Sequence, residues 1–292
     1  MRPTAIVPTL CCIAALVLSF LCLFAGSKKG FMNDYQILTL NTSRLGTNLL
    51  NPDAPGPLND IYNALPADTS NAINAAANSL ASRLGIEDFY NLHILTYCHG
   101  TYTPSVLPNA TLPRSAIHKH INDCSNMTAL FHFQPAAIIE QALNDSGVDV
   151  TLDDLRWPDD IQTGLDALHA LQSATFILYC IAAGLIFVSV LLSLLALFTS
   201  GRLSACLNVL IASVAFLAIG IASALVTAVM VKATDVINEN GRGIGLEAQR
   251  GNKYLAITWA ATGAMLLAVV WWLGETCVGR RGGKGNVYGK HG

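Results

Sequence analysis

Hydrophobic positions along the chain fall into four unbroken runs separated by polar stretches of very unequal length. The runs cover residues 5–25, 174–198, 206–231 and 254–273, and none contains a Lys, Arg, Asp or Glu. A helix needs ~20 apolar residues to cross a ~30 Å hydrocarbon core, and one charge at its centre would cost roughly 2.5–3.5 kcal/mol. The pattern therefore predicts four membrane-spanning helices. The first run follows "MRPT" and ends in "AGS" at residues 25–27, which also fits a secretory signal with a small-x-small cleavage site. Its apolar stretch exceeds the usual ~7–15 residues of a signal core, so a retained span is the expectation.

The polar stretches then divide into a large segment at 26–173, a tight turn at 199–205, a Gly-rich polar loop at 232–253 and a tail at 274–292. The large segment is long enough to bury a small core of its own. In it, "DYQILTLNTS", "YNLHILTYC" and "TALFHF" predict strands by alternation and by β-branched and aromatic content. "DTSNAINAAANSLASRLG" predicts a helix, with Ile73, Ala76, Ala77, Leu80 and Leu84 at helical spacing and Gly85 at its end. Pro135 starts a short helix, and Thr151 with Asp154 resembles a capping box. Pro158, Asp159 and Asp160 start a further helix that should run unbroken into the second span.

Composition agrees with a membrane protein. Of 292 residues, 52% are hydrophobic and only 12% charged, with mean hydropathy +0.46; soluble domains carry about 25% charged residues. The net charge of −2 conceals a split. The segment before the second span is acidic, whereas the tail holds Arg280, Arg281, Lys284 and Lys290 against one Glu. The positive-inside rule places the tail, and with an even span number the N-terminus, in the cytoplasm. Segments 26–173 and 232–253 then lie outside, although Lys28, Lys29 and the basic residues of the second loop run against the rule.

Cys98 and Cys124 are the only cysteines in the large polar segment; the other six lie in or beside apolar runs. The same segment carries all four Asn-x-Ser/Thr acceptors, at Asn41, Asn109, Asn126 and Asn144. Disulfides persist in oxidising compartments, so the segment is expected to be extracellular, glycosylated, and closed by a Cys98–Cys124 bond. Six histidines, His93, His99, His118, His120, His132 and His169, also fall there. No CxxC, HExxH or third ligand at useful spacing accompanies His118-x-His120, so no metal is expected. The aspartates of "DSGVDVTLDD" do not fit a calcium loop, and no nucleophile elbow, phosphate loop or dinucleotide fingerprint is present. The expectation is a protein without enzymatic activity or cofactor.

Without charges in the spans, no ion or proton path is marked. Small residues repeat every fourth position instead: Gly220, Ala224 and Ala228 in the third span, Ala256, Ala260, Ala264 and Ala268 in the fourth. Such rows permit close helix packing, chiefly within one bundle. Cys277, just beyond the fourth span and beside the basic tail, is a lipidation candidate.

"LGIEDFYNLHILTYCHGTYTPSVLPNATL", "INDCSN" and "FHFQP" resemble the ectodomain signature of the fungal Sur-seven/PalI family. "RWPDDIQTGLDALHALQSATFILYCIA" and "IGLEAQRGNKYLAITWAATGAMLL" resemble its stretches around spans two and four. The resemblance implies a claudin-like four-span plasma-membrane protein with a long first extracellular loop. One branch belongs to stable cortical domains (eisosomes) and influences endocytosis and cell-wall organisation; the PalI branch assists an ambient-pH sensor. The claudin tryptophan motif before the cysteines is absent, and the tail is short where many PalI-branch members have a long one. The expected fold is a mainly α membrane protein: a four-helix bundle whose first extracellular loop contains helices and a small antiparallel sheet. The expected function is a scaffold of cortical membrane domains, with an accessory subunit of alkaline signalling as the alternative and a channel-like pore a distant third. Expected partners are membrane lipids through the basic tail, other cortical-domain proteins and a second copy of the chain, not nucleic acid.

Overall fold

The computed structural model describes residues 3–45, 84–103, 118–147, 150–198 and 202–281. The expected helix of residues 68–85, apart from its last two positions, lies outside them. Helices α1 (Ile6–Phe24), α2 (Pro135–Ser146), α3 (Asp159–Phe198), α4 (Arg202–Gly241) and α5 (Asn252–Arg281) are interleaved with strands β1 (Leu38–Asn41), β2 (Phe89–Leu92), β3 (Tyr97–Thr103), β4 (His118–Cys124) and β5 (Glu247–Arg250). The chain forms two units. One comprises Met1–Leu23, Ala174–Leu225 and Tyr254–Gly292; the other comprises Phe24–Ser173 and Val226–Lys253.

The first unit is helical, and α1, α3, α4 and α5 are each long and apolar enough to cross a membrane. Their outward residues, among them Leu10, Val17, Leu195, Leu217 and Leu267, are exposed, an arrangement that lipid tolerates and water would not. Thr9 and Ser19 sit inside α1 by donating to the carbonyls of Ala5 and Ala15, 2.7 Å each, which leaves no hydroxyl unsatisfied. Buried positions of α5 run Tyr254, Thr258, Ala261, Met265, Ala268 and Trp272, alternating steps of four and three. That spacing keeps one seam facing its neighbours along the whole helix.

The second unit is built on a five-stranded antiparallel sheet in the order β4-β3-β2-β1-β5. One face carries Leu38, Leu40, Tyr90, Leu92 and Ala248 into a core with Ile139 and Leu143 of α2, Ile161 of α3 and Ile237 of α4. The opposite face is polar: the Thr39 hydroxyl donates to Asn91 Oδ1 at 2.7 Å, and Lys119 Nζ reaches the same hydroxyl at 3.2 Å while lying over the Phe89 ring. The strand alternation of β1 thus sorts Leu38 and Leu40 from Thr39.

Three expectations change. "YNLHILTYC" is not one strand but a hairpin, closed where the His93 amide donates to the Thr96 carbonyl at 2.9 Å. "TALFHF" forms no strand; it is a loop that delivers Phe133 and Phe131 to the core, while the neighbouring polar "HKHINDC" forms β4. The polar loop expected at 232–253 is helix as far as Gly241, because Ala233 and Ile237 pack into the core one turn apart, and its remainder supplies β5.

Strand β5 ends the sheet, and an open edge is a template for unwanted pairing. Asn238 of α4 closes it: the Ala248 amide donates to its Oδ1 at 2.7 Å, and its Nδ2 donates to the Ala248 carbonyl at 3.0 Å. Asn238→Ala leaves both backbone groups without that partner and is expected to destabilise the unit by about 1–3 kcal/mol. Thermal unfolding of the purified variant checks this; an unchanged midpoint would show that water replaces the amide at no cost.

Candidate functional site

The far end of the sheet from β5 holds the densest chemistry. Cys98 on β3 and Cys124 on β4 face each other in register and are joined by a disulfide. One residue along, the pairing slips: His99 opposes Asp123, but Gly100 opposes Ile121, so Asn122 is an extra residue. A bulge of this kind re-aims its side chain. Asn122 Nδ2 reaches both carboxylate oxygens of Glu87 at 2.9 Å, and Glu87 in turn lies 3.5 Å from His99 Nδ1. The slip also brings the β4 backbone against Gly100, where any side chain would collide with the His120 carbonyl.

Beside this corner, on the helix-bearing face of the sheet, is a slot of about 310 Å³. Tyr90, Tyr97 and His99 line one side, with Glu87 at the edge; Ile138, Gln141, Ala142 and Asp145 of α2 line the other. Ring centroids of Tyr90, Tyr97 and His99 stand 6.0–6.3 Å apart, and Phe131 stacks on Tyr97 at 5.9 Å. Asp88, next to Glu87, accepts the Tyr102 amide at 2.8 Å; burial pushes its carboxyl above the usual range despite that bond.

The histidines divide. His93 is fully buried, His99 lines the slot, and His118 and His120 are exposed on one face of β4. His132 stacks on His169 with centroids 3.5 Å apart, and burial followed by the neighbouring ring lowers its pKa. Among the described residues no group of three or more His, Cys, Asp and Glu is placed to hold a metal ion.

Of the sequons, Asn126 and Asn144 are exposed, whereas Asn41 is half-buried and accepts from the Ser43 hydroxyl at 2.7 Å; Asn109 lies outside the described residues. Cys277, Arg280 and Arg281 are on the last turns of α5, and Lys284 and Lys290 fall outside the described residues.

The rows of small residues are split by helix geometry. Ala268 is buried and Gly220 and Ala264 half-buried, but Ala224, Ala228, Ala256 and Ala260 are exposed on the outside of the helices. A strict step of four overshoots a turn by about 40° and so winds around the helix. What occupies the interior of the helical unit instead is a hydroxyl cluster that no charge or motif marked. Ser223 of α4 pairs with Thr258 and Thr262 of α5 at 2.8 and 2.9 Å, and Tyr179 of α3 closes on Thr258. Cross-helix bonds of this sort hold spans together where lipid offers no drive for apolar association. The visible signal was the uncharged polar residues inside the apolar runs, above all Thr258 and Thr262 one turn apart.

Four apolar spanning helices joined to a disulfide-closed antiparallel sheet define a multi-pass membrane protein with a folded polar unit. Residues 4–271 match the model of the SUR7/PalI family, and the chain belongs to that family. No curated protein and no solved structure matches it.

Proposed function

We propose that the protein is a non-enzymatic scaffold of the fungal plasma membrane that organises cortical domains of the eisosome type and thereby influences endocytosis and cell-wall organisation. The observation that carries the reading is membership of the SUR7/PalI family across all four spans. In this reading both termini are cytoplasmic and the sheet unit is extracellular, where the Cys98–Cys124 bond would persist. The basic residues Arg280, Arg281, Lys284 and Lys290 then face the anionic inner leaflet, each contributing about 1 kcal/mol near the surface. Lateral association has a candidate face in Ala256 and Ala260, exposed on α5 on either side of the exposed Trp259. The second reading, an accessory role in alkaline signalling, rests on the same family membership.

Live imaging of a tagged copy tests the proposal. Static cortical patches are expected, and Ala256→Leu with Ala260→Leu should reach the surface yet disperse. A diffuse or endosomal signal that follows external pH would favour the signalling role; normal patches in the double variant would show that this face meets only lipid.

A further inference from the structure

The slot between α2 and the β2–β3 hairpin has a composition that the scaffold reading does not use. Its floor is aromatic and its opposite wall is not. Tyr90 and His99 are paired across β2 and β3, and Tyr97 lies two residues along β3 on the same face, so the three rings, tilted 38–48° to one another, form an aromatic floor. The α2 wall contributes Gln141 and Asp145, an amide that both donates and accepts and a carboxylate that accepts. Glu87 adds a second carboxylate at the edge, held in place by Asn122, with His99 Nδ1 3.5 Å away. A cation needs only one ring face beneath it and is the competing ligand. The arrangement suits a flat ligand with an apolar C–H face and hydroxyls around its rim. The slot's size, about 310 Å³, sits at the small end of ligand cavities, which run about 300–1,000 Å³.

We propose that this slot binds a pyranose sugar, its C–H face on Tyr97 and His99 and its hydroxyls bonded to Gln141, Asp145 and Glu87. Two sources supply that chemistry. One is a polysaccharide outside the chain. The other is the chain's own glycan, because the Asn144 sequon is exposed on α2 directly before the slot-lining Asp145 and Ser146.

The test uses the full-length protein in nanodiscs, before and after enzymatic deglycosylation. The probes are tetrasaccharides of β-linked glucose, β-linked N-acetylglucosamine and α-linked mannose, with tetramethylammonium alongside. Saturation-transfer NMR and calorimetry should show at least one saccharide bound through its C–H protons. Tyr97→Ala and Gln141→Ala should each weaken it by about 5–10-fold. Binding to the untreated protein identifies an external source; binding only after deglycosylation, or only in Asn144→Gln, identifies the chain's own glycan. Gln141 and Asp145 are exposed on α2, so Gln141→Ala and Asp145→Asn decide the matter if Tyr97→Ala does not fold. The proposal is overturned by absence of saccharide binding in both preparations, by unchanged affinity in Gln141→Ala and Asp145→Asn, or by preference for tetramethylammonium.

Discussion

Reduction of the Cys98–Cys124 bond, or Cys98→Ser, is expected to lower the stability of the sheet unit by about 3.5 kcal/mol in the loop-entropy account of cross-linking. The bond closes a loop with a sequence separation of 26 residues, and its effect is concentrated on β4. That strand is the edge of the sheet, its residues are mostly exposed, and it contributes none of the core side chains. Pairing with β3, the covalent link and the polar contacts of Lys119 and Asn122 are what hold it. Detachment of β4 would also release Asn122 from Glu87 and so loosen the edge of the slot. Thermal unfolding of the purified protein with and without reductant measures the loss, and amide exchange should locate it first in His118–Cys124. In cells, Cys98→Ser should be retained in the secretory pathway. A reduced protein that melts at the same temperature, with β4 still protected, would show that strand pairing alone suffices.

That dependence explains which parts of the fold could be read from the chain. The spans were legible because lipid imposes length and apolarity on every residue of a run, and the extension of the second span back to Asp159 followed from Pro158 and the two aspartates. Strand β1 was legible because its alternation sorts two environments. Strand β4 was not, since "HKHINDC" has no apolar face and is specified by its partner, its bulge and its cysteine. "TALFHF" misled for the opposite reason: aromatic content reports burial, and burial here comes from a loop with Phe133 buried and Phe131 on Tyr97. In the helical unit, nothing in the charge pattern marks Ser223, Thr258 and Tyr179, because hydroxyls are cheap enough inside a membrane to leave the apolar runs unbroken. The slot could not have been anticipated at all. It requires the register of β2 with β3 and the placement of α2, neither of which any local pattern encodes.

The junction after α1 should prove as sensitive as the disulfide. Gly26 has φ +71°, a conformation that side chains other than glycine's rarely adopt, and the ring of His93 occupies the space a Cβ would need. Its neighbours hold it there: the Gly26 amide donates to the Phe31 carbonyl at 3.1 Å, and the Thr96 hydroxyl donates to the Gly26 carbonyl at 3.0 Å. Gly26→Val is expected to cost more than about 4 kcal/mol, through strain and overpacking together. Gly26→Ala and His93→Ala should be non-additive by about 1 kcal/mol or more, because the second change removes the ring that the first collides with. His93 also ties the unit to pH. Burial pushes its pKa from 6.5 down to about 4, against a smaller opposing pull from the Tyr35 backbone. Between those values the unfolded chain binds the proton and the folded chain does not. Stability is therefore full above pH 6.5, falls as pH drops toward 4, and levels off below, a loss of about 3 kcal/mol. Asp88 acts with the opposite sign, since its raised pKa favours the folded state as acid is added. His93→Phe keeps a ring against Gly26 but removes the titration, so its melting temperature should stay nearly flat from pH 7 to 5 where the wild type declines. The slope decides the matter, whatever the variant's starting stability. An equal decline in both proteins would assign the acid sensitivity to groups other than His93.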